Sequence, residues 1–155
     1  MKRTVVATIA IITLLSCGFL YWFLKQEYRP ARVLRQADQF ITFLQNGDVN
    51  SAYELTLKTA AVGATMAAFS ERAAVQIHMK HDQIERKEIN FVRSGQTYGN
   101  RLRRWLSSRK IDESEISIDY SIWGKPGQGF FLFEVRFFRV GEDLWKISYF
   151  QSHAG

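Results

Sequence analysis

Three groups of side chains in this 155-residue chain are of types that do chemistry. His78, His81 and Asp82 bring two imidazoles and a carboxylate close together, a set that binds a metal when a further ligand completes a tetrahedral shell. No third or fourth ligand is placed by the sequence, so the pair reads as exposed histidines at the polar end of a helix. Asp112, Glu113 and Glu115 are carboxylates, and two carboxylates share acid and base duty when their environments push their proton affinities apart. Crowded into one polar stretch, these three share one environment, and their expected role is to solvate a turn. Tyr53, Tyr120 and Tyr149 are phenols that could act as proton donors in an apolar pocket. Buried tyrosines with a bonded hydroxyl are ordinary core residues, and that is how these three are read. His153 falls in the C-terminal tail. The sequence has no glycine-rich phosphate loop, nucleophile elbow or zinc motif. The expectation is therefore a chain that is not an enzyme, with no catalytic, cofactor-binding or metal residue and no cofactor.

The elements that would position these residues change period halfway along the chain. After Pro30, which suits a first helical turn, Leu34, Ala37, Ile41 and Leu44 recur at helical spacing and predict a helix over 31–46. Gly47 suits the left-handed residue that ends it, and Asp48 can cap the next helix, which carries Ala52, Tyr53 and Leu55 on its apolar side. A third helix over 65–80 places Met66, Phe69, Ala73 and Ile77 together. From Ile116 the pattern alternates: Ile116, Ile118, Tyr120 and Ile122 face one way, then Phe131, Phe133, Val135 and Phe137, then Trp145, Ile147 and Tyr149. Gly124–Gly129 and Gly141–Asp143 are the turns between these strands. Ile89, Phe91 and Arg93 suggest a further strand, while Leu102, Trp105 and Leu106 fit either a helix or an irregular strand.

Ahead of these elements runs an uncharged stretch of about twenty residues, Val5 to Leu24, enough to cross a hydrocarbon core roughly 30 Å thick. Leu14, Leu15, Phe19, Leu20 and Phe23 supply apolar bulk. Tyr21 and Trp22 sit at the end where amphipathic rings favour the headgroup level, and Lys25 follows as a stop. A cleavable signal would end sooner and at small residues, whereas Gly18 is followed by another fully apolar turn. The expectation is an uncleaved single-pass anchor over 1–28 and a soluble α+β domain over 29–155. Lys25, Arg29, Arg32 and Arg35 outnumber Lys2 and Arg3, which favours an inside domain. A short basic head before an apolar helix and a long trailing domain is the usual signal-anchor order, and the domain is expected on the outer, periplasmic or extracytoplasmic side. The alternative anchoring mode is a lipoprotein, because Leu14-Leu15-Ser16-Cys17 resembles a lipobox. Cys17 is the single cysteine, so the domain has no disulfide.

The formal charge of +6 is concentrated in one segment. Arg86, Lys87, Arg93, Arg101, Arg103, Arg104, Arg109 and Lys110 are offset there only by Glu88. Arg101, Arg103, Arg104, Arg109 and Lys110 form a candidate interaction patch for anionic lipid or an acidic protein partner. The competing reading is a solvated face, and no nucleic acid is expected.

Helices followed by an antiparallel meander indicate an α+β domain with helices packed on one face of a curved sheet. Phe40, Leu44, Gly47-Asp48, Ala52-Tyr53 and the closing Trp145-Lys146-Ile147 resemble the nuclear transport factor 2-like, cystatin-like cone superfamily, in its small membrane-anchored bacterial form. The resemblance spans residues 31–150 and implies a cone-like fold. It does not transfer an activity, since the superfamily includes pocket enzymes, ligand binders and structural domains. The expected function is a membrane-tethered, non-catalytic interaction domain that contacts the bilayer and a membrane-protein partner as subunit or assembly factor. The alternative is a pocket for a small apolar ligand.

Overall fold

The computed structural model of the chain describes residues 2–107, 114–141 and 144–154. Among these residues the chain forms five α-helices and four strands, in two compact units. One unit joins Met1–Tyr28 with Gly95–Asp112, and the other joins Arg29–Ser94 with Glu113–Gly155.

The first unit holds α1 (Lys2–Lys25) and α5 (Tyr98–Leu106). Within α1 the window Thr8–Lys25 is long and apolar enough to cross a membrane, and none of it is buried inside the protein.

The second unit is the α+β body. α2 (Ala31–Gln45) buries Val33, Ala37, Phe40, Ile41 and Leu44, the spacing that makes one apolar stripe on a helix. Gly47, at φ 75°, turns the chain out of α2, and the Asp48 carboxylate accepts the Ser51 N–H to start α3 (Val49–Glu54). α4 (Met66–Gln76) begins at Thr65, whose hydroxyl accepts the Ala68 N–H, and buries Phe69 and Ala73. It is shorter than the 65–80 expected, so Ile77 and the histidines lie beyond its end.

β1 (Ile84–Arg93), β2 (Glu115–Gly124), β3 (Phe130–Arg139) and β4 (Trp145–Ala154) form one antiparallel sheet in chain order. The β2–β3 hairpin closes where Gly124 N donates to Gly129 O at 2.9 Å. Glu142 and Asp143 of the next turn lie outside the described residues, as do Asp112 and Glu113. The outer edge of β4 is occupied at Ile147, which exchanges backbone hydrogen bonds of 2.9 Å with Leu55 and Leu57.

Ile116, Ile118, Tyr120, Ile122, Phe131, Phe133, Val135 and Phe137 are all buried, as the alternation predicts. The inward assignment of Tyr149 is corrected. Arg136 pairs with Tyr149 but Phe137 pairs with Ile147, leaving Ser148 as an extra residue. That bulge turns Ile147 and Phe150 into the core and Tyr149 to the opposite face. A similar irregularity between Ile89 and Phe91 leaves Phe91 65% exposed and turns Val92 inward.

α2, α3 and α4 cover the inward face. Phe150 sits at the centre of an aromatic cluster, with ring centroids 5.3 Å from Phe40, 5.6 Å from Phe69 and 6.2 Å from Phe133. The opposite face carries a polar ladder: Arg93 pairs with Asp119, and Glu134 accepts from Ser117 at 2.9 Å and from Arg136 at 2.8 Å.

Candidate functional site

The basic segment divides between the two units, and its halves behave differently. On β1, Lys87 pairs with Asp38, Arg93 pairs with Asp119, and Arg86 lies 3.3 Å from Glu88 with its guanidinium 4.1 Å over Trp123. Those charges are neutralised within the α+β body. On α5 the side chains of Arg103 and Arg104 make no ion pair among the described residues, and Arg104 Nη1 is buried without a hydrogen-bond partner among them. The Arg101 guanidinium stacks 3.7 Å over the Tyr28 ring. Arg109 and Lys110 lie outside the described residues.

α5 forms because Thr97 caps it, its hydroxyl accepting the Asn100 N–H at 3.1 Å, and because Arg103 and Arg104 in its last turn favour the negative end of the helix dipole. Its start is fastened to the end of α1. Tyr28 N donates to Gln96 O at 2.8 Å, Tyr98 N donates to Gln26 O at 3.1 Å, and Gly95 N donates to the Glu27 carboxylate at 3.2 Å. Tyr98 stacks on Phe23 with centroids 4.7 Å apart and meets Tyr28 edge-on at 5.4 Å. Gly99 permits this approach, since a Cβ there would lie 2.9 Å from the carbonyl oxygen of Leu24.

Tyr98, Leu102, Trp105 and Leu106 fall at helical spacing on one face of α5. Tyr98 is half-buried against α1, whereas Leu102 is 44%, Trp105 73% and Leu106 69% exposed. The sequence left Leu102, Trp105 and Leu106 open between a helix and an irregular strand, and the structure places all three on α5. Of the anchor residues, Leu14, Leu15, Phe19, Leu20, Tyr21, Trp22 and Phe23 are exposed along α1 and Leu24 is half-buried. The side chain of Val5 lies outside the described residues. Cys17 is exposed on α1.

The described residues among those first considered for chemistry do not gather into one site. His78 and His81 do not share a helix. His78 lies 2.7 Å from Ser152 Oγ with its ring against Phe131, and His81 opens a separate 3₁₀ turn. Among the described residues no three His, Cys, Asp or Glu side chains gather as a metal shell. Tyr53 donates to Ala64 O at 2.9 Å, and Tyr149 donates to Gln151.

Tyr120 differs from the other two. Its hydroxyl is buried without a hydrogen-bond partner among the described residues, beneath an open groove of about 660 Å³ along α2 and β1. Burial, and secondarily the Asp38 carboxylate, push its proton affinity above the ordinary phenol value, so it stays protonated and keeps a hydrogen to donate. The Asp38–Lys87 ion pair lies at this groove, and Tyr120 itself is 2% exposed. Under the helices, the space lined by Ile41, Leu44, Met79, Ile122, Phe131 and Phe133 has a volume of only about 10 Å³.

No protein-family model, curated protein or solved structure matches this chain.

Proposed function

We propose that the chain is a single-pass membrane protein whose α+β unit is a non-catalytic interaction domain on the outer side, a subunit or assembly factor of a membrane-associated complex. Thr8–Lys25 supplies the anchor, uncleaved rather than lipidated at Cys17. The α+β unit is read as a cone of the nuclear transport factor 2-like type, on the helices-over-sheet arrangement and the sequence resemblance together. The observation that carries the functional reading is the interior. Phe40, Phe69, Phe133 and Phe150 pack ring to ring between helices and sheet, and the described space under the helices that Ile41, Ile122 and Phe133 line measures about 10 Å³ where a ligand pocket needs several hundred. The test is isolation of the full chain in mild detergent with identification of what accompanies it. A stoichiometric membrane-protein partner is expected. A chain that runs alone and carries one small apolar molecule would sink the reading.

The buried, unpartnered Tyr120 hydroxyl favours a second reading, a small ligand seated in the groove beside α2. Native mass spectrometry of the same preparation separates the two.

A further inference from the structure

We infer that α5 is an interfacial helix that lies in the headgroup region of an anionic bilayer, beside the end of α1. The inference rests on the reading of α1 as a membrane anchor and adds a second point of contact with the lipid. Its first support is continuity. The apolar face of α5 starts at Tyr98, stacked on Phe23 of α1, and continues through Leu102, Trp105 and Leu106, which the protein leaves exposed among the described residues. A surface that begins on a lipid-facing helix and continues without a polar break has the same solvent along its length.

The second support is depth. Leu24 closes the uncharged run that begins at Val5, and Gly99 sits against the Leu24 backbone. α5 therefore leaves α1 at the level where hydrocarbon gives way to headgroups. An amphipathic helix buries its apolar face about 5–10 Å into that boundary, and indole and phenol rings favour it. The third support is charge. Arg103 is exposed without an ion pair among the described residues, and Arg104, half-buried with its Nη1 out of solvent, finds no partner there either, whereas Lys87 and Arg93 of the same basic segment are paired with carboxylates. Guanidinium groups beside an apolar helix face match a phosphate-bearing surface, where each contributes binding that salt screens. A protein partner would need to cover the same face without displacing lipid from α1, so the bilayer is the occupant the geometry favours.

The test uses the full chain with Cys17→Ser, reconstituted in vesicles of phosphatidylcholine with or without phosphatidylglycerol. Nitroxide labels at Leu106→Cys, Asn100→Cys and Ile12→Cys are read by their collisions with oxygen and with a water-soluble nickel chelate. The Leu106 label is expected at the interface, the Asn100 label in water and the Ile12 label in hydrocarbon. A Leu106 label in water while Ile12 stays in hydrocarbon overturns the interfacial helix and leaves the anchor standing. A Leu106 label shielded from both probes shows that protein covers it and also overturns the inference. An Ile12 label in water overturns the anchor reading itself. Each basic residue beside an anionic leaflet favours the surface roughly fivefold, so Arg103→Gln with Arg104→Gln lowers the ratio of immersed to aqueous Leu106 label about 25-fold in anionic vesicles at low salt. The same pair should leave that ratio unchanged in neutral vesicles, and an unchanged ratio in anionic ones overturns the role given to the arginines.

Discussion

Ile147 and Phe150 both enter the core although they stand three positions apart, a spacing that strict alternation forbids. Ser148 is the residue that opposes nothing on β3. Deleting Ser148 would restore alternation while keeping Ile147 and Phe150 inward and Tyr149 outward. Deleting Glu134 from the regular part of β3 would instead drive half of that strand to the wrong face. The Ser148 deletion is expected to leave a cooperatively melting protein and the Glu134 deletion to abolish the transition. Equal loss in both would show that the bulge, rather than facing, governs β4.

This contrast explains what was legible in the sequence. Ile116 through Phe137 alternate without interruption, and every inward assignment there agrees with burial. Tyr149 and Phe91 sit one residue past an irregularity, where counting by two gives the wrong face and no local residue signals the extra position. The helices from Ala31 to Gln76 followed from caps and apolar spacing. α5 did not, because the contacts that fix it run to Phe23, Leu24 and Tyr28, about seventy residues earlier.

Phe150 touches the rings of Phe40, Phe69 and Phe133, so its truncation leaves a cavity that three elements cannot close together. Phe150→Ala and Phe133→Ala are each expected to cost about 3–5 kcal/mol. Trp145→Ala, at a half-buried position, should cost less. Thermal melts of the full chain in detergent check the order, and a Trp145 effect larger than that of Phe150 would misplace the centre of the core.

Tyr120 should behave in the opposite way to a functional tyrosine. Its hydroxyl is desolvated without a partner, so Tyr120→Phe removes an unmet polar group and leaves the ring. The melting temperature is expected to stay level or rise. A clear fall would mean that the hydroxyl is bonded in solution, and would strengthen the reading of a ligand in the groove.

Glu134 sets an acid limit. The hydrogen bond from Arg136, with that from Ser117 and the charges of Arg136 and Arg93, holds its carboxyl below the ordinary glutamate range against the opposing effect of burial. Because the folded value lies below the unfolded one, of about 4.3, this stabilisation is fully present above that value and is lost as pH falls through the folded one. Glu134→Gln should lower stability at neutral pH and flatten its decline below about pH 4. Parallel acid limbs in parent and variant would rule out Glu134 as a contributor.

Gly99 joins the two helices of the first unit, and its substitution tests that junction without touching the α+β core. A Cβ there would lie 2.9 Å from the Leu24 carbonyl oxygen and 3.3 Å from the Leu24 Cβ, and the nearest atom is backbone, which cannot swing aside. Gly99→Val must therefore lift α5 from α1, part the stack of Tyr98 on Phe23, and strain the hydrogen bonds that hold Gln26 and Tyr28. Overpacking of this kind costs about 1–3 kcal/mol, which raises the open population of α5 roughly tenfold. Arg103 and Arg104 then become better trypsin sites, so cleavage after them in detergent is expected to quicken about tenfold. Asn100→Ala, on the exposed side of the same helix, should change the rate little. If Gly99→Val and the parent are cut at the same rate, α5 is not held to α1 in solution, and the depth argument for its place in the membrane loses its footing.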